Sequence, residues 1–130
     1  MRPKLSEIYR KAAAEFAQRV TSALGDQVYS IVLYGSVARG EAKRSSDIDI
    51  LVVSPDPQSA RQRVSEICEN VIYECDYTLF ISTVHLSREE LRWHTDVGSP
   101  FVRNVVDEGV ILYDNGTFSG LREKAAAASR

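Results

Sequence analysis

The sequence predicts an α/β (α+β) fold, in which a small mixed β-sheet is packed with helices. The 130 residues suffice for one hydrophobic core and leave no room for a second domain of ordinary size. Hydrophobic residues make up 44% of the chain, charged residues 26%, and the net charge is −2, which is globular rather than disordered composition. Helical and strand-like patterns alternate along the chain, as expected for a sheet covered by helices.

The first half of the chain predicts two helices and two strands. Apolar residues recur at helical spacing through the first helix, which Gly25 ends: Leu5, Ile8, Tyr9, Ala12, Phe16, Val20 and Leu24. Residues 28–34 are β-branched and apolar, which favours a strand buried on both faces. Residues 35–46 are small, polar and basic, so we expect a loop with room for a short helix. Residues 47–54 form the second predicted strand, which Pro55 and Pro57 end, and a helix follows.

The second half predicts one more long strand and then mainly helices. Residues 74–83 are interpreted as the third strand. Ser87 and Glu90 form a capping box that begins a helix toward His94, and Pro100 begins another that ends at Gly109. Residues 110–113 are expected to add a short edge strand, and residues 125–128 a helical tail. The chain is therefore predicted to be a single domain over residues 1–130, with a core at about 1–113 and a helical tail at about 117–130.

Composition also limits the partners and the compartment. No apolar run approaches the ~20 residues of a membrane-spanning helix, and the N-terminus lacks the apolar region of a signal peptide. Without a basic excess there is no strong nucleic-acid signal, so any phosphate recognition must be local. Cys68 and Cys75 have neither disulfide-framework nor zinc spacing, and we expect buried free thiols in a reducing cytoplasm.

Two carboxylates stand at the head of the second strand. Asp47 and Asp49 are alternate residues, so their side chains share one face of the strand, with Cα atoms about 6.6 Å apart. The two carboxylates repel each other and lose hydration, and a hard divalent cation such as Mg²⁺ relieves both costs. The alternative is an exposed strand end with two solvated acids.

Gly35 and Ser36 directly follow the first predicted strand. Glycine permits close backbone approach, and backbone N–H groups at a strand-to-helix turn form an anion cradle, to which the Ser36 hydroxyl adds a donor. Arg39, Lys43 and Arg44 supply local positive charge. Alone, this segment is equally consistent with a plain turn and a solvated basic loop. Next to the carboxylate pair, it places metal ligands beside a polyphosphate, which is the arrangement that phosphoryl and nucleotidyl transfer need.

The combined motif resembles a known family. Gly35-Ser36, ten residues, and then Asp47-x-Asp49 is similar to the signature of the nucleotidyltransferase superfamily related to DNA polymerase β. The fuller string, which adds Arg39-Gly40-Glu41 and Ser46, looks like the minimal nucleotidyltransferases of bacteria and archaea.

The resemblance implies a polymerase β-like nucleotidyltransferase core that transfers AMP from ATP to a hydroxyl. Asp47 and Asp49 would bridge two Mg²⁺ ions. A third carboxylate on the next strand would be Asp76, with Glu74 as the alternative. It would bind the catalytic metal ion and help to deprotonate the acceptor. Gly35 and Ser36 would hold phosphates, and Arg39 would bind phosphate or brace the loop. Lys43 and Arg44 are weaker candidates.

The resemblance also implies a partner, since the predicted single domain has no extra part to hold an acceptor. A partner protein or a second copy of the chain would hold it. Minimal members are often paired with a small helical HEPN-type toxin, which they inactivate by adenylylating a tyrosine. Two alternatives stay open: a non-catalytic antitoxin that acts by binding alone, and nucleotidyl transfer to a small molecule or RNA.

Overall fold

The computed structural model describes residues 4–128 and contains a four-stranded sheet and six helices. The predicted domain limits at residues 1 and 130 lie outside the described residues. The helices are α1 (Leu5–Leu24), α2 (Gly35–Ala38), α3 (Pro57–Glu74), α4 (Arg88–Asp96), α5 (Pro100–Glu108) and α6 (Thr117–Ala128). The strands are β1 (Ser30–Tyr34), β2 (Ile48–Val53), β3 (Ile81–Leu86) and β4 (Val110–Asp114).

The sheet is mixed, as predicted, with strand order β3-β2-β1-β4. Strands β1 and β2 pair antiparallel, with Tyr34 opposite Asp49, and β4 pairs antiparallel with the other edge of β1. Strand β3 runs parallel to β2, with Ser82 in register with Asp49. The first two strands along the chain are therefore the two central strands, so the segment that joins them lies at one end of the sheet.

Helices cover both faces of the sheet, and side-chain alternation explains why. On β2, Ile48, Ile50 and Val52 belong to a core built with α1 and α3, whereas Leu51 and Val53 belong to a second core with α4, α5 and α6. Both faces are therefore apolar, which accounts for the nearly continuous hydrophobic run of this strand. Asp49 is the half-buried interruption of that run, because it lies where the strand begins.

Most predicted elements are confirmed. Gly25 ends α1 with φ +56°, in the left-handed region that glycine tolerates. The capping box of α4 is present: the Ser87 hydroxyl accepts from the Glu90 N–H at 3.0 Å, and the Glu90 carboxylate accepts from the Ser87 N–H at 2.9 Å. Strand β4 lies at the sheet edge, as expected.

The predicted strand over residues 74–83 is wrong for its first seven residues, 74–80. Helix α3 continues to Glu74, a turn follows, and β3 begins only at Ile81. The helix ends in a Schellman motif, in which the Tyr77 N–H donates to the Ile72 carbonyl at 3.1 Å and the Asp76 N–H donates to the Tyr73 carbonyl at 3.0 Å. Asp76 and Tyr77 both have positive φ, at 53° and 57°, which is incompatible with a strand.

Two further expectations concern membranes and cysteines. None of the helices within residues 4–128 combines the length and the apolar character that crossing a membrane requires. Cys68 and Cys75 are free thiols, as predicted, although both are half-buried rather than buried.

Candidate active site

The β1–β2 connection and the head of β2 form the candidate site. Gly35 follows β1 with φ +77°, and a Cβ atom at this position would collide with the Asp49 carboxylate, whose Cγ would lie 3.3 Å away. The antiparallel pairing causes this proximity, because it places Tyr34 opposite Asp49 and so brings the next residue to the carboxylate. Only glycine fits both the backbone conformation and the space. The structure thus brings together Gly35 and Asp49, two residues predicted from separate parts of the motif.

The electrostatics of the carboxylate pair suit a cation. Asp49 is half-buried and Asp47, just before β2, is exposed. Burial raises the pKa of Asp49, the charge of Asp47 raises it further, and Arg39 opposes the shift. A bound divalent cation would remove this repulsion, and carboxylate oxygens are the ligands that Mg²⁺ prefers. The donor chemistry therefore fits a hard divalent ion, although residues 4–128 contain no group of three acidic, histidine or cysteine side chains arranged to hold one.

Ser36 takes part in a hydrogen-bond network that closes the loop. Its hydroxyl donates to the Ser46 Oγ at 3.2 Å, and the same Ser46 oxygen accepts from the backbone N–H of Lys43 at 2.9 Å. The two ends of the ten-residue connection are therefore tied together directly before Asp47. Ser46 belongs to the sequence motif, but its role follows only from its contact with Ser36.

Helix α1 holds the loop from the other side. Arg10 donates to the carbonyls of Ala38 at 2.6 Å and Val37 at 3.4 Å, which belong to the last residues of α2. The Tyr9 hydroxyl donates to the Arg44 carbonyl at 3.3 Å. The Ala38 carbonyl is one that the end of a short helix leaves without an intrahelical partner, and Arg10 satisfies it. The sequence alone does not indicate Arg10, because a basic residue on an exposed helix face carries no local signal of a distant partner.

Arg39 is engaged by two carboxylates. Its guanidinium lies 3.1 Å from Glu41 in the loop and 3.1 Å from Glu108 at the end of α5. Hydrogen bonds to both acids raise the pKa of Arg39. Two roles are predicted for Arg39, phosphate binding and bracing of the loop. These contacts are those expected of a residue that braces the loop.

Asp76 and Glu74, the two candidates for a third carboxylate, do not lie with the pair. Asp76 is exposed in the turn after α3, where it adopts the left-handed conformation of the Schellman motif. Glu74 ends α3 and forms a bidentate ion pair with Arg19 of α1, at 2.6 and 2.9 Å. That pair lowers the pKa of Glu74. A third ligand from either residue stays a prediction that this geometry does not support.

Tyr34 borders the site as a packing residue. Its ring meets Phe101 of α5 edge to face, with centroids 5.3 Å apart. Burial raises the pKa of Tyr34 to about 12, with a smaller contribution from Asp49. The phenol therefore stays neutral beside the carboxylate, and α5 is held against the end of β1.

A glycine-serine turn packed against Asp49, with Asp47 just before the same strand, is typical of a nucleotidyltransferase site, and comparison with known proteins agrees. The nucleotidyltransferase domain family matches residues 10–112 of this chain. The chain belongs to this family and is an enzyme of the nucleotidyl-transfer class, which confirms the resemblance seen in the motif.

Two relatives come from Methanocaldococcus jannaschii. The chain is 33% identical over 103 residues to the protein named "Putative protein adenylyltransferase MJ0604", an alignment that spans 79% of this chain and 96% of that protein. It is 28% identical over 104 residues to "Putative protein adenylyltransferase MJ1305", spanning 80% and 71% of the two chains.

Solved structures share the fold. A chain in the crystal structure of a mutant toxin–antitoxin pair, MntA–HpeT, matches with a TM-score of 0.59 at 19% identity, covering 89% of this chain and 86% of that one. A structure described as a tri-AMPylated Shewanella oneidensis HEPN toxin in complex with MNT antitoxin matches with a TM-score of 0.54 at 18% identity, covering 92% and 85%. Identities this low establish the architecture alone.

Proposed function

We propose that this protein is a Mg²⁺-dependent protein adenylyltransferase that transfers AMP from ATP to a hydroxyl of a partner protein. The observation that carries the proposal is the contact between Gly35 and the Asp49 carboxylate. This contact brings together two features. One is a glycine backbone that a polyphosphate can approach closely, and the other is a carboxylate pair suited to a cation. The names of the two archaeal relatives favour protein as the acceptor class.

The residues of the site have distinct roles in this proposal. The backbone N–H groups of Gly35 and Ser36 bind the β- and γ-phosphates of ATP. Asp47 and Asp49 would hold Mg²⁺, and the family resemblance implies two such ions. When bound, the ions would neutralise phosphate charge. Arg39 braces the loop through Glu41 and Glu108. Lys43 and Arg44 add positive charge to the same loop and are the weaker candidates for phosphate contact.

The reaction follows from this placement. The acceptor oxygen attacks the α-phosphorus of ATP, the bond from that phosphorus to the bridging oxygen of the β-phosphate breaks, and pyrophosphate leaves. The acceptor proton passes to solvent. The contribution of the protein is to hold the triphosphate against the carboxylate pair, since orientation of the reactants can supply about 7–11 kcal/mol of the barrier.

The partner is proposed to be a HEPN-type toxin, and the acceptor a tyrosine hydroxyl. One structure that shares the fold is described as an MNT antitoxin bound to an AMPylated HEPN toxin, and another as a toxin–antitoxin with AMP-PNP. Free thiols at Cys68 and Cys75 favour a reducing compartment such as the cytoplasm.

The test is mass spectrometry of the partner. The protein, a candidate HEPN-type toxin from the same genome, ATP and Mg²⁺ are incubated together, and the toxin is expected to gain the mass of one or more AMP groups on tyrosine. Asp49→Asn should abolish the gain, whereas Asp56→Asn, which alters only the N-cap of α3, should retain it. A toxin that is inhibited but unmodified would favour the non-catalytic antitoxin. Modification of RNA or a small molecule instead would identify a different acceptor.

A further inference from the structure

Strand β3 passes directly beside the carboxylate pair. Because β3 is parallel to β2 and Ser82 is the register partner of Asp49, the two side chains leave the same face of the sheet on strands about 4.8 Å apart. The Ile48 N–H donates to the Phe80 carbonyl at 2.8 Å, which extends this pairing to the residue before β3. Asp49 thus lies between Gly35 on the β1 side and Ser82 on the β3 side.

In β3 and at the residue just before it, the positions that face the pair carry no acid. Ser82 is exposed and ends in a hydroxyl, and Phe80 is 53% exposed and ends in a phenyl ring. Asp76, the nearest preceding acid, belongs to the Schellman motif of α3. Within residues 4–128, no third acidic side chain joins Asp47 and Asp49.

We infer that this chain supplies only two carboxylates to its metal site, and that Ser82 occupies the place of a third. The inference rests on the proposed function and concerns how its metal is held. The affinity of an oxygen site for a hard cation depends strongly on the number of charged ligands. With two carboxylates, one of them exposed, the site binds a divalent ion weakly until the phosphates of the nucleotide add their own oxygens. Metal and nucleotide therefore bind cooperatively, and the empty enzyme is largely metal-free.

The register makes this inference testable by a gain of function. Ser82→Asp places a third carboxylate one strand spacing from Asp49, on an exposed position where the substitution needs no repacking. We expect it to tighten Mn²⁺ binding to the nucleotide-free protein by about tenfold or more, because a further charge within about 4–6 Å attracts the cation strongly. Ser82→Asn is the matched control, since it has nearly the same shape without the charge, and should leave Mn²⁺ affinity unchanged.

Electron paramagnetic resonance of free Mn²⁺ measures the affinity without requiring catalysis. AMP-PNP should raise the Mn²⁺ affinity of the wild type by a larger factor than that of Ser82→Asp. The reason is that the third carboxylate replaces part of the negative charge that the phosphates provide. Circular dichroism establishes that each variant is folded. If Ser82→Asp is not folded, Ser82→Glu serves as a second acidic variant.

The outcomes separate this inference from the proposed function. If Asp49→Asn leaves Mn²⁺ binding in the presence of AMP-PNP unchanged, the metal site itself is misplaced and the proposed function fails. If Asp49→Asn abolishes binding but neither acidic variant at position 82 tightens it, the two-carboxylate site is overturned. A tenfold loss of Mn²⁺ affinity in Asp76→Asn would also overturn it, because Asp76 would then be the third ligand.

Discussion

The site loop, residues 35–47, and the α3–β3 segment, residues 75–86, flank the same strand but are built in different ways. The site loop is tied by contacts distant in sequence: Arg10 binds its carbonyls, Glu108 binds Arg39, and Gly35 meets Asp49. The turn of the α3–β3 segment is held mainly by backbone hydrogen bonds to the end of α3. A positioned site requires tertiary contacts, whereas a local cap only ends a helix. We therefore expect function to be sensitive to substitution in the site loop and tolerant in the turn.

The largest expected effect is at Gly35. Gly35→Ala should abolish ATP binding and destabilise the protein, because the new methyl group collides with Asp49 in addition to straining the backbone. Gly40→Ala is a matched control, since Gly40 also has positive φ, +75°, but nothing lies within 4 Å of its added Cβ. Gly40→Ala should cost only the backbone strain, about 1 kcal/mol. Urea unfolding and calorimetric ATP titration measure both effects, and equal losses in the two variants would contradict the close approach of Gly35 to Asp49.

The second effect concerns His85, on β3. His85 is 5% exposed, its Nε2 lies 3.1 Å from the Thr83 hydroxyl, and its Nδ1 has no partner among the described residues. Burial, and to a lesser extent Arg61, lower the pKa of His85 to about 4 from an ordinary 6.5. Between these values the unfolded chain binds more protons, so acidification from pH 6.5 to 4 should remove about 3 kcal/mol of stability.

Variants isolate the contribution of His85 to this pH dependence. His85→Gln should flatten the decline of unfolding free energy between pH 6.5 and 4, whereas His94→Gln, at a half-exposed position of α4, should not. Chemical denaturation at a series of pH values is the measurement. An identical decline in His85→Gln and the wild type would show that His85 can be protonated in the folded protein without cost.

The third effect tests the role of Arg39. If Arg39 braces the loop, Glu108→Gln should weaken its attachment to α5 and reproduce part of the loss of transfer rate in Arg39→Ala. ATP affinity should change by no more than about twofold in either variant, since exposed ion pairs position a loop only weakly. Steady-state kinetics with a KM and kcat comparison is the readout. A large increase in KM for ATP in Arg39→Ala alone would restore the phosphate-binding interpretation.

The smallest expected effect is at Asp76, and it tests most directly whether the turn tolerates substitution better than the site loop does. Asp76→Gly should stabilise the protein by about 0.5–1 kcal/mol, because glycine adopts the left-handed conformation at φ 53° without strain. Asp76→Asn keeps a residue that tolerates this conformation and should be neutral. Thermal unfolding reports stability, and the toxin modification assay reports function. Loss of modification in both variants with intact folding would return Asp76 to the catalytic set.

The local signals in the sequence were strong where they depended on nearby residues. Helix α1 follows from apolar spacing, the α4 cap from Ser87 and Glu90, and the site motif from Gly35 and Asp49. The boundary between α3 and β3 could not be read in the same way. Glu74 and Asp76 alternate with apolar or aromatic neighbours as in a strand, but the Schellman hydrogen bonds of Asp76 and Tyr77 stabilise a helix end there.

What the sequence by itself determined is the fold class, the family and the residues of the phosphate-and-carboxylate motif. These features depend on residue types at short, regular spacing. At such spacing, backbone geometry alone decides which side chains share one face of a helix or strand. What only the tertiary structure decided is which distant groups meet. Strand register placed Ser82, and not Asp76, beside Asp49, and helix packing gave Arg39 its partner in Glu108. Register and packing are set by the whole core, so no local stretch of sequence contains them.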